Sequence, residues 1–327
     1  MTEVGQSEIP VIDISPGADG NPRRETADQL GTACEGIGFF VIQGHGIGPE
    51  LINPMMQTAR DFFRLDENVK RSYLSPTGNK FRGYTAATSY KGGPPDAKEG
   101  FQVSWFENRQ AMLDAGYTAE YADSFEPNIW PTWPPEFRST WQRYFVAVKE
   151  VGDYLLELAA LALDLPKDWF TPKFSRQSSY MLANYYPAHE SVLNDGRQRL
   201  HAHTDYGGFT ILYQDVAVGG LEVETRSGSW ARVPYIPGTF VVNLGDLLAK
   251  WTNDRWVATP HRVRNPEPEE LGQDRISVPF FQHPNLDALI ETIPTCIAPG
   301  DKPHHPPVLW RDWGAYRMSD FDEVKAS

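Results

Sequence analysis

Cysteine is scarce: the chain carries two, Cys34 and Cys296, with no CxxC pair. That excludes a disulfide-stapled scaffold and a thiolate zinc site, and it fits a reducing cytoplasm, the expected location. Long apolar runs are missing as well. No stretch approaches the roughly 20 residues that cross a bilayer, and the polar, acidic stretch Met1 to Pro10 reads as no secretory signal. Positive charge is the minority sign, with 30 Lys and Arg against 43 Asp and Glu and a formal net charge of −13. Nucleic acid and anionic membranes select clustered basic residues, so neither is an expected partner. Internal repeats, low-complexity tracts, a Walker A loop, a GxSxG elbow and HExxH are absent too.

What remains is enough for a substantial core: 40% of the 327 residues are hydrophobic, a length that suits one large domain or two small ones. The first half reads mostly helical. Helices are expected at Arg24–Gly36, from about Pro49 to Arg64, and from Pro135 to Leu163. In the last of these Trp141, Phe145, Val148, Leu155, Leu158 and Ala162 recur at helical spacing, and Pro166 ends it. A short strand, Phe39–Ile42, lies between the first two. Gly92-Gly93-Pro94-Pro95 and Pro127–Pro135 read as loops.

From Ser178 the texture turns to short β runs: Tyr180–Tyr186, Arg199–His203, Phe209–Tyr213, Leu221–Glu224, Thr239–Asn243, Trp256–Val263 and Ile276–Gln282. Turn signals such as Gly207-Gly208 and Gly219-Gly220 separate them. Short strands so spaced predict an antiparallel barrel or a double-sheet jelly roll. The expected fold is therefore α+β, with helices buttressing a β core and a C-terminal helix at Trp310–Met318.

One apparent motif fails. Gly44-His45-Gly46-Ile47-Gly48 follows a strand and precedes a helix, as a dinucleotide loop does, but Pro49 stands where the third glycine belongs. The informative stretch is His201-Ala202-His203-Thr204-Asp205. His203 and Asp205, two apart on a strand, share a face. His261, 56 residues beyond Asp205, supplies a third donor from another strand. Two imidazoles and a carboxylate form the facial set that suits non-haem Fe(II) and leaves positions open for oxygen chemistry. A chance HxD with ordinary histidines is the competing explanation. His201 is placed beside the set rather than in it. His45, His189, His283, His304 and His305 are assigned structural or surface roles.

Arg275 and Ser277 also share a strand face, among Ile276, Val278, Phe280 and Phe281, which mark a buried strand. A buried guanidinium needs an anion, and a fork plus a hydroxyl suits the far end of a dicarboxylate. A surface arginine paired with nearby acids is the alternative. Asn184 and Tyr186 share a face in Asn184-Tyr185-Tyr186-Pro187.

With these residues in hand the chain resembles the Fe(II)/2-oxoglutarate dioxygenases related to isopenicillin N synthase. The resemblance runs from Ile9-Pro10-Val11-Ile12-Asp13 to the C-terminal helix. It rests on Gly38–Ile42 with Gly44-His45-Gly46, Arg82-Gly83-Tyr84, Lys98-Glu99-Gly100-Phe101, Asn184–Pro187, His203–Gly207, Gly219–Val223, Val241–Asp246, His261-Arg262-Val263 and Arg275-Ile276-Ser277. Ala188 and His189 follow Pro187 where many plant members continue with proline and cysteine, which affects the adjoining loop.

The resemblance implies a double-stranded β-helix core and a single catalytic unit. Residues 1–175 would be a mainly helical region, 176–285 the jelly roll with the iron and cosubstrate sites, and 286–327 a C-terminal segment. It implies iron on His203, Asp205 and His261, the far carboxylate of 2-oxoglutarate on Arg275 and Ser277 with Tyr186 assisting, and Asn184 near the oxo-acid end. Phe101, Val103, Trp105, Trp313 and Tyr316 are substrate-pocket candidates by family position, with core packing as the equal alternative.

The expected activity is oxygenation. Fe(II), 2-oxoglutarate and O2, with ascorbate as reductant, would couple oxidative decarboxylation to hydroxylation, desaturation or cyclisation of a small organic molecule. Natural-product intermediates of secondary metabolism are among the candidates, and a monomer is expected. The alternatives are an oxidase that needs no 2-oxoglutarate, a non-catalytic metal or small-acid binding module, and a hydrolytic zinc site.

Overall fold

A computed structural model describes residues 9–79, 81–86, 88–90, 94–189, 196–216, 220–318 and 321–323. The chain opens with strand β1 (Val11–Asp13), helix α1 (Arg24–Gly36), strand β2 (Phe39–Gln43) and helices α2 (Pro49–Phe63) and α3 (Glu67–Arg71). Strands β3 (Gly83–Thr85), β4 (Thr88–Tyr90) and β5 (Glu99–Ser104) follow, then helices α4 (Arg109–Asp114), α5 (Ala119–Asp123), α6 (Phe137–Ala162) and α7 (Thr171–Phe174). Strands then dominate: β6 (Tyr180–Tyr186), β7 (Leu200–His203), β8 (Phe209–Gln214), β9 (Leu221–Glu224), β10 (Trp230–Arg232) and β11 (Phe240–Leu244). Helix α8 (Asp246–Trp251), strands β12 (His261–Val263), β13 (Arg275–Phe281), β14 (Leu289–Ile290) and β15 (Val308–Leu309), helix α9 (Trp310–Met318) and strand β16 (Phe321–Glu323) complete the order.

Eight strands pair as β1-β2-β11-β8-β13-β6-β5-β3, and four as β10-β9-β12-β7. From β6 to β13 the chain crosses repeatedly between these two sheets, which is the path of a double-stranded β-helix. Period-two alternation sorts the large sheet's side chains. Phe39, Val41, Tyr186, Leu212 and Val241 join Leu221, Val223 and Val263 of the small sheet in one buried cluster. Their chain neighbours Phe40, Ile42, Ile211, Val242, Ile276 and Val278 turn to the other side and pack with the helices. Helix α6 buries Trp141, Tyr144, Phe145, Val148, Leu155 and Leu158 there, against α1, α2, β8 and β13. Each such side chain contributes about 1.5–3 kcal/mol by leaving water.

Three expectations change. The first half holds more strand than its texture suggested, because β5 runs the length of β6 in register from Glu99↔Tyr185 to Ser104↔Tyr180. The expected strand Trp256–Val263 shortens to His261–Val263. Pro260 can donate no ladder hydrogen bond, and Trp256 is buried in the helical core instead. Of the expected loop Gly92-Gly93-Pro94-Pro95, the two glycines lie outside the described residues. Helix α6 starts two residues later than expected and α9 where expected.

Candidate metal and cosubstrate site

Strands β7 and β12 run antiparallel in the small sheet, and His203 stands directly opposite His261. Asp205 follows β7 by two residues. One donor atom from each of the three lies within 4.8 Å of the others. His203 Nε2 is 3.8 Å from Asp205 Oδ1, and His261 Nε2 is 3.8 Å from Asp205 Oδ2. The other ring nitrogens are tied back: His203 Nδ1 is 2.8 Å from the His201 carbonyl and His261 Nδ1 is 3.2 Å from the Thr259 carbonyl. A carbonyl only accepts, so Nδ1 carries the proton and Nε2 presents a lone pair.

Burial, then the neighbouring His261, lowers the His203 pKa to about 4, so the ring is neutral and ready to ligate. Burial by itself would raise the Asp205 pKa, but His261, His203 and hydrogen bonds from Thr210 and Asn243 outweigh it and hold the carboxyl ionised. Both donors meet Oδ2, Thr210 Oγ1 at 2.6 Å and Asn243 Nδ2 at 2.7 Å. Backbone closes the arrangement: the Asp246 amide donates to the Asp205 carbonyl at 2.7 Å. Glycine is required beside it, since a Cβ on Gly245 would lie 2.5 Å from the Gly207 carbonyl oxygen.

A second polar cluster lies in the large sheet. Arg275 pairs with Tyr186 and Ser277 with Asn184 in the β13–β6 register, so all four share the inward face. The Arg275 guanidinium is fully buried. Its Nη1 donates to Ser277 Oγ at 3.1 Å, its Nη2 to Gln214 Oε1 at 3.0 Å, and its carbon sits 5.0 Å from the Tyr186 ring centre. Its Nε has no partner among the described residues, and no described acid forms an ion pair with it. A second guanidinium, that of Arg199, lies 5.9 Å from the same ring. Burial, then the neighbouring Arg275, lowers the Arg199 pKa to about 10. Two buried guanidinium groups thus flank one phenol ring.

A cavity opens between the sheets beside the first cluster. Lys98, Gln102, Asn184, His203, Asp205 and Tyr206 are among its lining residues. Phe101, Val103 and Trp105 are not among them. Strand parity is the reason: Gly100 and Gln102 face the cavity, so Phe101 and Val103 face the helices. Phe101 is fully buried, edge-on to Phe62, Phe137 and Trp141. Trp105 packs edge-on against Phe145. Trp313 and Tyr316 of α9 do not line the cavity either. Trp313 Nε1 donates to the Tyr206 carbonyl at 3.4 Å, behind a lining residue, and Tyr316 is 67% exposed.

Residues 9–133 match the family described as non-haem dioxygenase in morphine synthesis N-terminal, and residues 177–284 match the 2OG-Fe(II) oxygenase superfamily. A 2-oxoglutarate-Fe(II) type oxidoreductase of Emericella nidulans is 35% identical over 325 residues, covering 95% of this chain and 90% of its own. The chain belongs to the 2OG-Fe(II) oxygenase superfamily. This oxygenase is also similar to homoarginine-6-hydroxylase of Oryza sativa subsp. japonica, at 31% identity over 88% of this chain and 89% of that one. Among solved structures, a full-length Neurospora crassa protein in complex with 2-oxoglutarate matches with a TM-score of 0.84 at 27% identity, covering 95% of each chain.

The oxygenase uses Fe(II) and 2-oxoglutarate, and its own residues suit both. Two neutral imidazoles and a carboxylate, with no thiolate, match a borderline divalent metal. A buried arginine with a donor left over matches a dicarboxylate end. Sequence reasoning missed Thr210, Asn243 and Gln214, whose polar types are common and whose roles depend on which strands become neighbours. His201, placed beside the set in the sequence, has its Nδ1 2.7 Å from the buried Asp96 carboxylate while its carbonyl orients His203, and the sequence carried no sign of the Asp96 partner. No helix among the described residues is long and apolar enough to cross a membrane.

Proposed function

We propose that His203, Asp205 and His261 hold Fe(II), that Arg275, Ser277 and Tyr186 hold the far carboxylate of 2-oxoglutarate, and that Asn184 lies near its oxo-acid end. The observation that carries the assignment is the buried carboxylate of Asp205 between two imidazoles whose protons are fixed on the far nitrogens. When bound, the metal and cosubstrate supply oxidative decarboxylation of 2-oxoglutarate to succinate and carbon dioxide, coupled to oxidation of a C–H bond.

The chain's part is positional. Asp205 keeps its charge because Thr210 and Asn243 donate to it, and the two imidazoles offer lone pairs from fixed rings. Arg275 and Tyr186, buried in the sheet interior, select a dianion and exclude water from it. The helical region, the jelly roll and the C-terminal segment serve as one catalytic unit. Hydroxylation, desaturation or cyclisation of a small organic molecule is the outcome, in keeping with small-molecule relatives such as the homoarginine hydroxylase.

The test is succinate release from enzyme, Fe(II), 2-oxoglutarate and ascorbate across a metabolite library. Substrate-stimulated succinate that disappears in Asp205→Ala, with the circular dichroism spectrum kept, supports the proposal. Substrate turnover that is unchanged without 2-oxoglutarate overturns it.

A further inference from the structure

The residue that carries information about the substrate is Lys98. It precedes β5 and shares the inward face with Gly100 and Gln102, and all three line the cavity that holds His203 and Asp205. The residue is half-buried, and its ammonium donates to Asn184 Oδ1 at 2.7 Å. An ammonium has three donors, and this is the one hydrogen bond that Lys98 makes among the described residues.

The acids on either side of Lys98 in the chain are spent elsewhere. Asp96 accepts from the backbone and ring of His201, at 3.0 and 2.7 Å. Glu99, on the opposite strand face, accepts from Tyr84 Oη at 2.9 Å and pairs with Lys70. No described acid forms an ion pair with Lys98. Asp205, the one acid among the described lining residues, is committed to Thr210, Asn243 and the two imidazoles. Burial lowers the Lys98 pKa and the Asp96 charge offsets this only in part, a residual cost that a bound anion reduces.

Sheet order separates this cation from the arginine receptor. Asn184 on β6 lies between Ser277 of β13 on one side and Gly100 of β5 on the other. Arg275 and Lys98 are therefore two strands apart, about 10 Å at the usual strand spacing. The cavity lining includes Lys98 but not Arg275, Ser277 or Tyr186. Beyond the polar Thr85 and Gln102, the cavity continues along the strands past Leu182 and Tyr206 to the aromatic Phe81 and Phe281.

We propose that Lys98 is the docking point for a carboxylate on the primary substrate, whose apolar or aromatic body lies against Phe81, Leu182, Tyr206 and Phe281. The substrate class is a small organic monoacid. This rests on the oxygenase reading of the same site.

The experiment titrates the anaerobic Fe(II)-loaded enzyme first with 2-oxoglutarate and then with matched acid and amide pairs: hexanoate and hexanamide, phenylacetate and phenylacetamide, 3-phenylpropionate and its amide. Binding is read by calorimetry. At least one acid binds, its amide binds about ten- to hundredfold more weakly, and Lys98→Met removes that difference. Lys98→Arg keeps the preference for the acid. In both variants 2-oxoglutarate binds as in the wild type, which also reports intact folding. Acids and amides that cannot be told apart across the panel, by binding or by its absence, overturn the proposal. So does a Lys98→Met variant that weakens 2-oxoglutarate. Failure of the wild type to bind 2-oxoglutarate would instead overturn the oxygenase assignment of the site.

Discussion

His203 and His261 face each other across the β7–β12 ladder with ring centres 4.4 Å apart, and each directs Nε2 toward a different oxygen of Asp205. Two buried lone pairs and a buried negative charge this close have no polar partner as good as a cation. Filling the site with a divalent ion at about a hundred times its dissociation constant adds about 2.7 kcal/mol. A chelator should therefore lower the melting temperature by several degrees, and Asp205→Ala should show no such shift.

The hydrogen bonds onto Asp205 should matter to the metal more than to the fold. Asn243→Leu leaves Oδ2 with one side-chain donor, Thr210. Fe(II) or Mn(II) affinity is expected to fall about 10- to 100-fold, with urea unfolding little changed. Equal metal affinity in variant and wild type would show that the carboxylate needs no such support.

Arg275 should separate binding from stability. It is buried without an acid and with Nε unpartnered among the described residues, so removing it also removes a desolvated charge. Arg275→Met is expected to raise the KM for 2-oxoglutarate at least about a hundredfold, the scale of losing one partner of a buried charge pair. Its unfolding free energy should equal or exceed that of the wild type. A strongly destabilised variant with an unchanged KM would contradict the anion-receptor role.

Acid sensitivity has a traceable source in His283. The ring is buried against Tyr180 and Trp310, and burial holds its pKa down at about 3 from an ordinary 6.5. Below pH 6.5 the unfolded chain takes up a proton here that the folded chain refuses until about pH 3. The stability it contributes is therefore full above 6.5 and is lost as the pH falls toward 3. Each such group steepens the acid limb by about 1.4 kcal/mol per pH unit. Unfolding free energies of metal-free His283→Phe between pH 6 and 4 should show a slope shallower by about one proton. Parallel slopes would refute the account.

Neighbours on β5 should behave as opposites. Phe101→Ala empties part of the aromatic cluster around Phe62 and Phe137 and is expected to cost about 3–5 kcal/mol while leaving substrate preference alone. Gln102→Leu, on the cavity face, is expected to change substrate preference at a cost of about 1 kcal/mol. Thermal unfolding and a substrate panel on both variants check the pair.

The texture change near Ser178 pointed to a barrel or jelly roll, and the spacings of His203-Thr204-Asp205 and Arg275-Ile276-Ser277 to a facial metal set and an anion-binding fork, while the resemblance to the dioxygenase family supplied the iron and the double-stranded β-helix. Period-two and helical spacing are local properties of a chain, so the sequence alone determined the α+β class, β6, β9, α1 and α9. The same local rule placed His203 with Asp205 and Arg275 with Ser277.

What the sequence left open is what depends on partners far along the chain. Which face of β5 meets the cavity is settled by its register with β6, and a shift of one residue would have exchanged Phe101 for Gln102. Asn243, Thr210 and Gln214 acquire roles only when β11, β8 and β13 become neighbours. Lys98 is an ordinary lysine until the fold brings it into a cavity where no described acid forms an ion pair with it. Side chains two apart on a strand are held together by the backbone, whereas residues far apart in the chain are held together only by packing, and packing is decided in three dimensions.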